Sequence, residues 1–243
     1  MSDTREALTG GDGADDGTGD GRAMPGRRQR RLWWPAAVAG FAALCVGALA
    51  MVVGASGGSP ASAGERPAAV APADDSADAG FARDMSVHHQ QAVNMSFIVR
   101  DRTRDPEVRL LAFDIINTQA NQRGMMTGWL DQWGLTQTSK AKPMAWMQMG
   151  HDYQAHDGSL MPGMATNADL DRLRTADAKT AEVLFLQLMI EHHKGGVAMA
   201  DGYLGLSHNA VEKRLAETMV VGQMSEIKLM TDMLTARGAK PLS

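Results

Sequence analysis

From residue 81 onward the apolar positions recur every three or four residues, the spacing of a helix with one buried face. Phe81, Met85, His88, Ala92 and Met95 fall within about 80° of arc on a 3.6-residue helix. His88 lies near the middle of that stripe and His89 about 100° round, at its edge. Phe185, Met189, His192, Gly196 and Met199 draw the same stripe, with His193 at its edge. A further helix is announced by "RDPEV", with Asp105 as N-cap and Pro106 at the first helical position, and it stops at Gly134. Its counterpart begins near Asn209 and stops at Gly238, and Thr175 is expected to cap the helix that carries His192 and His193. Strand signals are nearly absent, because alternation is poor and Val, Ile, Tyr and Phe are sparse.

These elements form an internal repeat. A shift of 104 positions aligns Phe81 with Phe185, Met85 with Met189, His88 and His89 with His192 and His193, and Met95 with Met199. Without a gap it continues through Leu111 and Leu215, Gln119 and Gln223, Met126 and Met230, and Gly134 and Gly238. Two helices per copy, with a short turn inside each copy and a long link between copies, predict an all-α fold. The expected architecture is a four-helix bundle of two tandem two-helix repeats with a crossover connection. Repeat one spans 79–134, a Met/His-rich link 135–175, and repeat two 176–240, so that the bundle covers 79–240. The link is long enough to cross the bundle end and to hold a short helix.

The N-terminal third reads differently. Residues 1–26 are built mainly from Gly, Asp, Ala, Thr and Ser with almost no large apolar side chains, a composition that cannot offset the entropy of ordering. They are predicted to be disordered, within a cytoplasmic tail of residues 1–31. Arg27, Arg28, Arg30 and Arg31 then precede an uncharged, mostly apolar run over residues 32–54. That run suffices to cross a hydrocarbon core of about 30 Å and exceeds the usual signal-peptide core. The arginines and the interfacial Trp33 and Trp34 place the tail inside the cell and everything after the run outside. The expectation is a single-pass membrane anchor; a leader cleaved near "ASA" at 61–63 is the alternative, and both export the domain. Residues 55–78, rich in Ala, Gly, Pro, Ser and Asp, read as a flexible tether.

Composition narrows the chemistry. The only cysteine, Cys45, lies inside the apolar run, so the exported part has neither a thiol nor an internal disulfide. A formal net charge of −4 and the lack of a basic stripe argue against nucleic acid as a partner. Without a Gly-x-Ser-x-Gly elbow, a phosphate-cradling loop or a cysteine nucleophile, an enzyme is not expected. Homo-oligomerisation is left open.

The His-His pairs are the candidate chemistry. A Met stripe on a helix is more often core filling, and a lone buried His is more often a hydrogen-bonded core residue. Placing two adjacent histidines at the same point twice is a costly way to build a core, although a duplication also copies structural residues faithfully. The candidate metal ligands are His88, His89, Met85, Met95 and Met126 with His192, His193, Met189, Met199 and Met230. Gln119, Gln122, Gln223 and Glu226 lie at helical spacing on the partner helices. With no thiolate available, the soft donors are thioethers, of which the chain has 18, and thioether with imidazole suits copper, Cu(I) above all. The link adds Met144, Met147, Met149, His151, His156, Met161 and Met164, a weaker candidate for a second copper site, because a loop need not fill a core.

At "FARDMSVHHQQAVNMS" and "FLQLMIEHHKGGVAMA", each followed by a Gln-containing helix ending in "MMTGWLDQWG" or "LMTDMLTARG", and at "MPGM" in the link, the chain resembles the exported bacterial family catalogued as domain of unknown function 305. The resemblance spans about residues 79–240 and implies a ferritin-like fold. Some members of that family look like extracytoplasmic copper-binding proteins of copper tolerance, which implies copper binding through Met and His here. The copies differ at two positions: Asp84 faces Leu188 across the repeat, and Glu226 faces Gln122, so a site needing either carboxylate would exist once. Two other readings compete with a copper-binding or buffering protein. A ferritin-like di-metal oxidase would need Glu-x-x-His motifs and more core carboxylates than the chain has. A helical structural or interaction module would leave the histidines merely packed.

Overall fold

The computed structural model describes residues 71–147 and 153–242. Helix α1 spans Ala77–Arg102, α2 Pro106–Gln132, α3 Asn167–Thr175, α4 Ala178–Leu204 and α5 Ala210–Ala236, with a 3-10 turn at Ala145–Met147. Among the described residues there is no strand beyond an isolated bridge between His156 and Ser159. None of these helices is long and apolar enough to cross a membrane. The expected span over residues 32–54, the tail before it and the tether up to residue 70 lie outside the described residues.

The helix ends follow from their caps. Asp105 accepts from the amides of Glu107 and Val108 at 2.9 and 3.1 Å, with Pro106 opening α2. Asn209 accepts from Val211 and Glu212 at 3.0 and 3.2 Å at the start of α5. Gly134 and Gly238, both at φ +68°, stop α2 and α5 as expected. The cap of α4 differs: it is Asp177, accepting from Lys179 and Thr180. Thr175 instead ends α3, with its hydroxyl donating back to the Asp171 carbonyl at 2.8 Å, and an extended Ala176 separates the two helices.

Helix α2 packs along α1, α5 along α4, and α1 against α4. The apolar side chains form two clusters. One joins the C-terminal half of α1 and the N-terminal half of α2 (Met95, Val99, Leu111, Ile115) to the N-terminal half of α4 and the C-terminal half of α5 (Phe185, Met189, Met230, Leu234). The other joins the opposite halves, through Phe81, Met85, Met126, Leu130, Met199, Tyr203 and Met219. Sequence neighbours therefore run antiparallel, and so do α1 and α4.

The link leaves α2 at the second cluster and enters α4 at the first, so it travels the length of the bundle. It is fastened to α1 on the way. Arg83 Nε donates to the Thr136 carbonyl at 2.8 Å, and Asp84 Oδ2 accepts from the Met144 amide at 2.6 Å and Trp146 Nε1 at 2.8 Å. The Gln91 amide clasps the backbone of Ala165, donating at 2.9 Å and accepting at 2.7 Å. Trp146 meets Phe81 edge-on, and Phe81 stacks on Tyr203 with ring centroids 4.1 Å apart.

Candidate metal centre

Between the two apolar clusters lies a polar layer. On α1 it falls between Met85 and Ala92, on α2 between Ile115 and Met126, on α4 between Ile190 and Met199, and on α5 between Met219 and Met230. It contains His88, His89, His192 and His193, all with no solvent-exposed surface, together with buried Gln119 and Gln223. His88 and His192, which stand in the middle of their stripes, meet at the α1–α4 contact, ring centroids 3.7 Å apart. His89 Nε2 lies 2.7 Å from Gln122 Oε1 on α2, and His193 Nε2 lies 2.7 Å from Glu226 Oε2 on α5. The 104-residue repeat is thus kept in space, with the amide of one copy replaced by the carboxylate of the other.

These bonds set the tautomers. A carbonyl or carboxylate oxygen can only accept, so His89 and His193 carry their proton on Nε2, and so does His192, whose Nε2 donates to the His88 carbonyl at 3.0 Å. In His89 and His192, which burial holds neutral, this leaves Nδ1 unprotonated; among the described residues no well-formed hydrogen bond reaches Nδ1 of His89, His192 or His193 or either nitrogen of His88, near which lies the Pro162 carbonyl. Five buried imidazole nitrogens without a partner is a costly arrangement for a packed core. Orientation of an imidazole by an outer hydrogen bond, with its other nitrogen left free, is how metal-binding histidines are held.

Burial also keeps His88, His89 and His192 neutral. Desolvation, then repulsion from His89, pushes His88 down to about 3. His89 is pushed down to about 4 by desolvation, against a bond to Gln122 that favours the charged form. His192 lies well below the ordinary value, first through desolvation and next through His88. Neutral imidazole is the form that binds metal, so these rings are ready at any pH near neutrality.

The six candidate methionines of the helices flank this layer three and three. Met95, Met189 and Met230 lie in one apolar cluster, and Met85, Met126 and Met199 in the other, all fully buried. Among the described residues, no group of three or more His, Cys, Asp or Glu side chains is arranged to hold an ion by itself. An ion in the layer would draw further ligands from outside that set, and the flanking thioethers are the soft donors at hand.

The link behaves differently from a free loop. Met147 and Met161 are buried in the second cluster, and Met144 and Met164 pack against it, so core filling explains them as well as it explains any helix methionine. His156 is exposed and hydrogen-bonded to the Gln154 carbonyl; Met149 and His151 lie outside the described residues. "MPGM" is nevertheless placed beside the histidines. The Pro162 carbonyl lies 2.1 Å from where a Cβ on Gly195 would stand, and Gly163, at φ +82°, sits over the same turn of α4, two residues from His193. Only glycine permits that approach. Asp84, unmatched in repeat two, fastens the link by its two hydrogen bonds, and Leu188 takes its place in the first apolar cluster. Gln91 was not singled out by sequence, because its role depends on a partner 74 residues away.

Solved structures resemble this chain in fold. A protein from Streptomyces coelicolor, inferred to be secreted, is 61% identical over 70% of this chain and 99% of its own, with a TM-score of 0.65. CopM in its Cu(II)-bound form is 28% identical over 66% of this chain and 97% of its own, with a TM-score of 0.50, and a Cu(I)-bound form of CopM matches at 25% and 0.51. A shorter match, 38% identical over 55 residues, is to the uncharacterized protein L153 of Acanthamoeba polyphaga mimivirus, 36% of whose length it covers. The model of the family described as domain of unknown function DUF305 matches residues 78–234, and the chain belongs to that family.

Proposed function

We propose that this is an extracytoplasmic copper-binding protein, held at the membrane by residues 32–54, that buffers copper in the buried histidine layer. The observation that carries the reading is the set of five partnerless imidazole nitrogens, four rings deep, bracketed by two trios of methionine. Nδ1 of His89, His192 and His193 and the ring of His88 are the nitrogen donors; Met85, Met126 and Met199 on one side, and Met95, Met189 and Met230 on the other, supply thioethers. Imidazole with thioether favours Cu(I), and the copper-bound states of CopM support the choice of metal. Bound copper would satisfy the orphaned nitrogens, so metal and fold stabilise each other.

The role assigned is binding, not catalysis, since the layer is closed to solvent on all four rings. The test is titration of the full-length protein with Cu(I) against a competing chelator, beside a variant with His88, His89, His192 and His193 changed to Ala. Tight binding lost by the variant at unchanged helicity supports the reading. Equal binding by both would move the site to the link methionines, and binding by neither would leave the histidines as architecture. If the fourfold variant does not fold, Met85→Leu with Met189→Leu, which keeps core volume, is expected to weaken Cu(I) binding at least tenfold.

A further inference from the structure

The two ends of the bundle, related by the 104-residue repeat, handle buried carboxylates in opposite ways. At one end Glu182 accepts from the Thr103 hydroxyl and from Arg237 Nε at 3.2 Å, and Arg237 also pairs with Asp105 at 2.9 Å. A guidinium from the chain itself thus neutralises two carboxylates. At the other end the matching positions hold Asp78 for Glu182, Ser207 for Thr103 and Tyr203 for Val99. The cation is missing there, since Trp133 stands where Arg237 would be, and a second carboxylate is added, since Glu212 stands where the buried Val108 would be.

The groups at this second end converge. Tyr203 donates to Asp78 Oδ1 at 2.7 Å, the Ser207 hydroxyl lies 2.8 Å from the same oxygen, and the two hydroxyls are 2.6 Å apart. Glu212 has no exposed surface, and among the described residues neither of its oxygens makes a well-formed hydrogen bond, although the Tyr203 hydroxyl lies close enough to favour its charged form. It bears on the Tyr203 hydroxyl and feels the charge of Asp78; burial, reinforced by that charge, pushes it up to about 8. Among the described residues no ion pair includes Asp78, Glu212 or the adjacent Lys213. A proton on Glu212 would remove its charge but supply one donor for two orphaned oxygens, whereas Asp78 Oδ1 already accepts from its neighbours.

We propose that Asp78, Glu212, Tyr203 and Ser207 form a binding site for a hard divalent cation, which takes the place the Arg237 guanidinium holds at the other end. Two carboxylates, a phenol and a hydroxyl are an all-oxygen donor set, suited to calcium, magnesium or manganese and not to copper(I). The half-buried Asp78 gives access. The cation would tie the first turn of α1 to the α4–α5 turn, and so repeat one to repeat two, as Arg237 does at the opposite end. This site does not depend on the copper reading.

The test uses the full-length, chelator-treated protein and Mn2+ as probe, followed by the loss of the free-ion electron paramagnetic resonance signal and by the thermal midpoint, with Ca2+ as competitor. The wild type is expected to bind Mn2+ and to melt higher as Mn2+ rises. Glu212→Val, which copies Val108, is expected to bind at least tenfold more weakly, to lose the Mn2+-dependent rise and to keep Cu(I) binding unchanged; Glu212→Gln should behave alike if the valine variant does not fold. A wild type indifferent to millimolar Mn2+ and Ca2+ overturns the proposal, and a midpoint that only falls as pH rises through about 8 would identify a proton in place of the cation. Equal Mn2+ binding by wild type and variant overturns it as well.

Discussion

Acidifying the metal-free protein from pH 7 to about 4.5 should cost it several kcal/mol, and the histidine layer sets the amount. An ordinary histidine titrates at 6.5, whereas His88 is held at about 3 and His89 at about 4 by burial. Between these values the unfolded chain takes up protons that the folded chain refuses, so stability is full above 6.5 and is lost as pH falls toward the folded values. At pH 4.5 the difference is about two pH units for each ring, or roughly 3 kcal/mol each and on the order of 5 kcal/mol for the pair. His192, shifted in the same direction, adds to it. That is comparable with the whole stability of a small domain, about 5–15 kcal/mol. Urea unfolding followed by circular dichroism at several pH values measures it. His88→Leu with His89→Leu, which replaces the rings by apolar side chains of similar size, should stay folded at pH 7 and lose less than half as much on acidification. A wild type whose stability is flat from pH 7 to 4.5, or equal acid sensitivity in the two proteins, would refute the view that these rings are buried and neutral.

Other substitutions probe the supports of the layer. Gly195→Ala would place a methyl 2.1 Å from the Pro162 carbonyl, which must push the link off α4 at a cost of about 1–3 kcal/mol, read as a lower thermal midpoint. Gln91→Ala removes both hydrogen bonds to Ala165, leaves buried backbone groups unpaired and should cost about 1–3 kcal/mol, with faster proteolysis in the link. Arg237→Met strands Glu182 and Asp105 and should destabilise by about 3 kcal/mol in chemical denaturation. In chelator-treated protein, stability tied to Glu212 is full below its ordinary value of 4.5 and lost as pH rises to about 8, so Glu212→Gln should gain on the wild type across that window.

The bundle was legible because a duplicated helical period repeats its own evidence. The offset of 104 residues pairs His88 with His192 and Gln122 with Glu226, and those pairs lie at matching places in the fold. Caps were legible where a side chain acts on its own backbone two or three residues on, as at Asp105 and Asn209. Thr175 failed because two capping residues, Thr175 and Asp177, stand two apart, and the choice depended on the short α3 that precedes them. The link was less legible. Trp146, Met147 and Met161 carry no periodic pattern, and their burial depends on distant stretches of chain: Trp146 meets Phe81, Asp84 and Tyr203, 57 to 65 residues away, which local spacing does not encode. For the same reason Asp84 reads in sequence only as a carboxylate without a counterpart in repeat two, and in space as a clasp. Glu212 sits at the third position of a helix, where a carboxylate ordinarily faces water, and only the neighbouring Tyr203 and Asp78 reveal that it is buried.

The most direct test of the copper assignment is X-ray absorption at the copper K-edge on the protein loaded with one equivalent of Cu(I). Imidazole nitrogen together with thioether sulfur around the same ion, both reduced in the His192→Leu, His193→Leu variant, is the expected result. A shell of sulfur alone that the variant leaves intact, or of nitrogen and oxygen with no sulfur, would contradict a site built from the histidine layer and its flanking methionines.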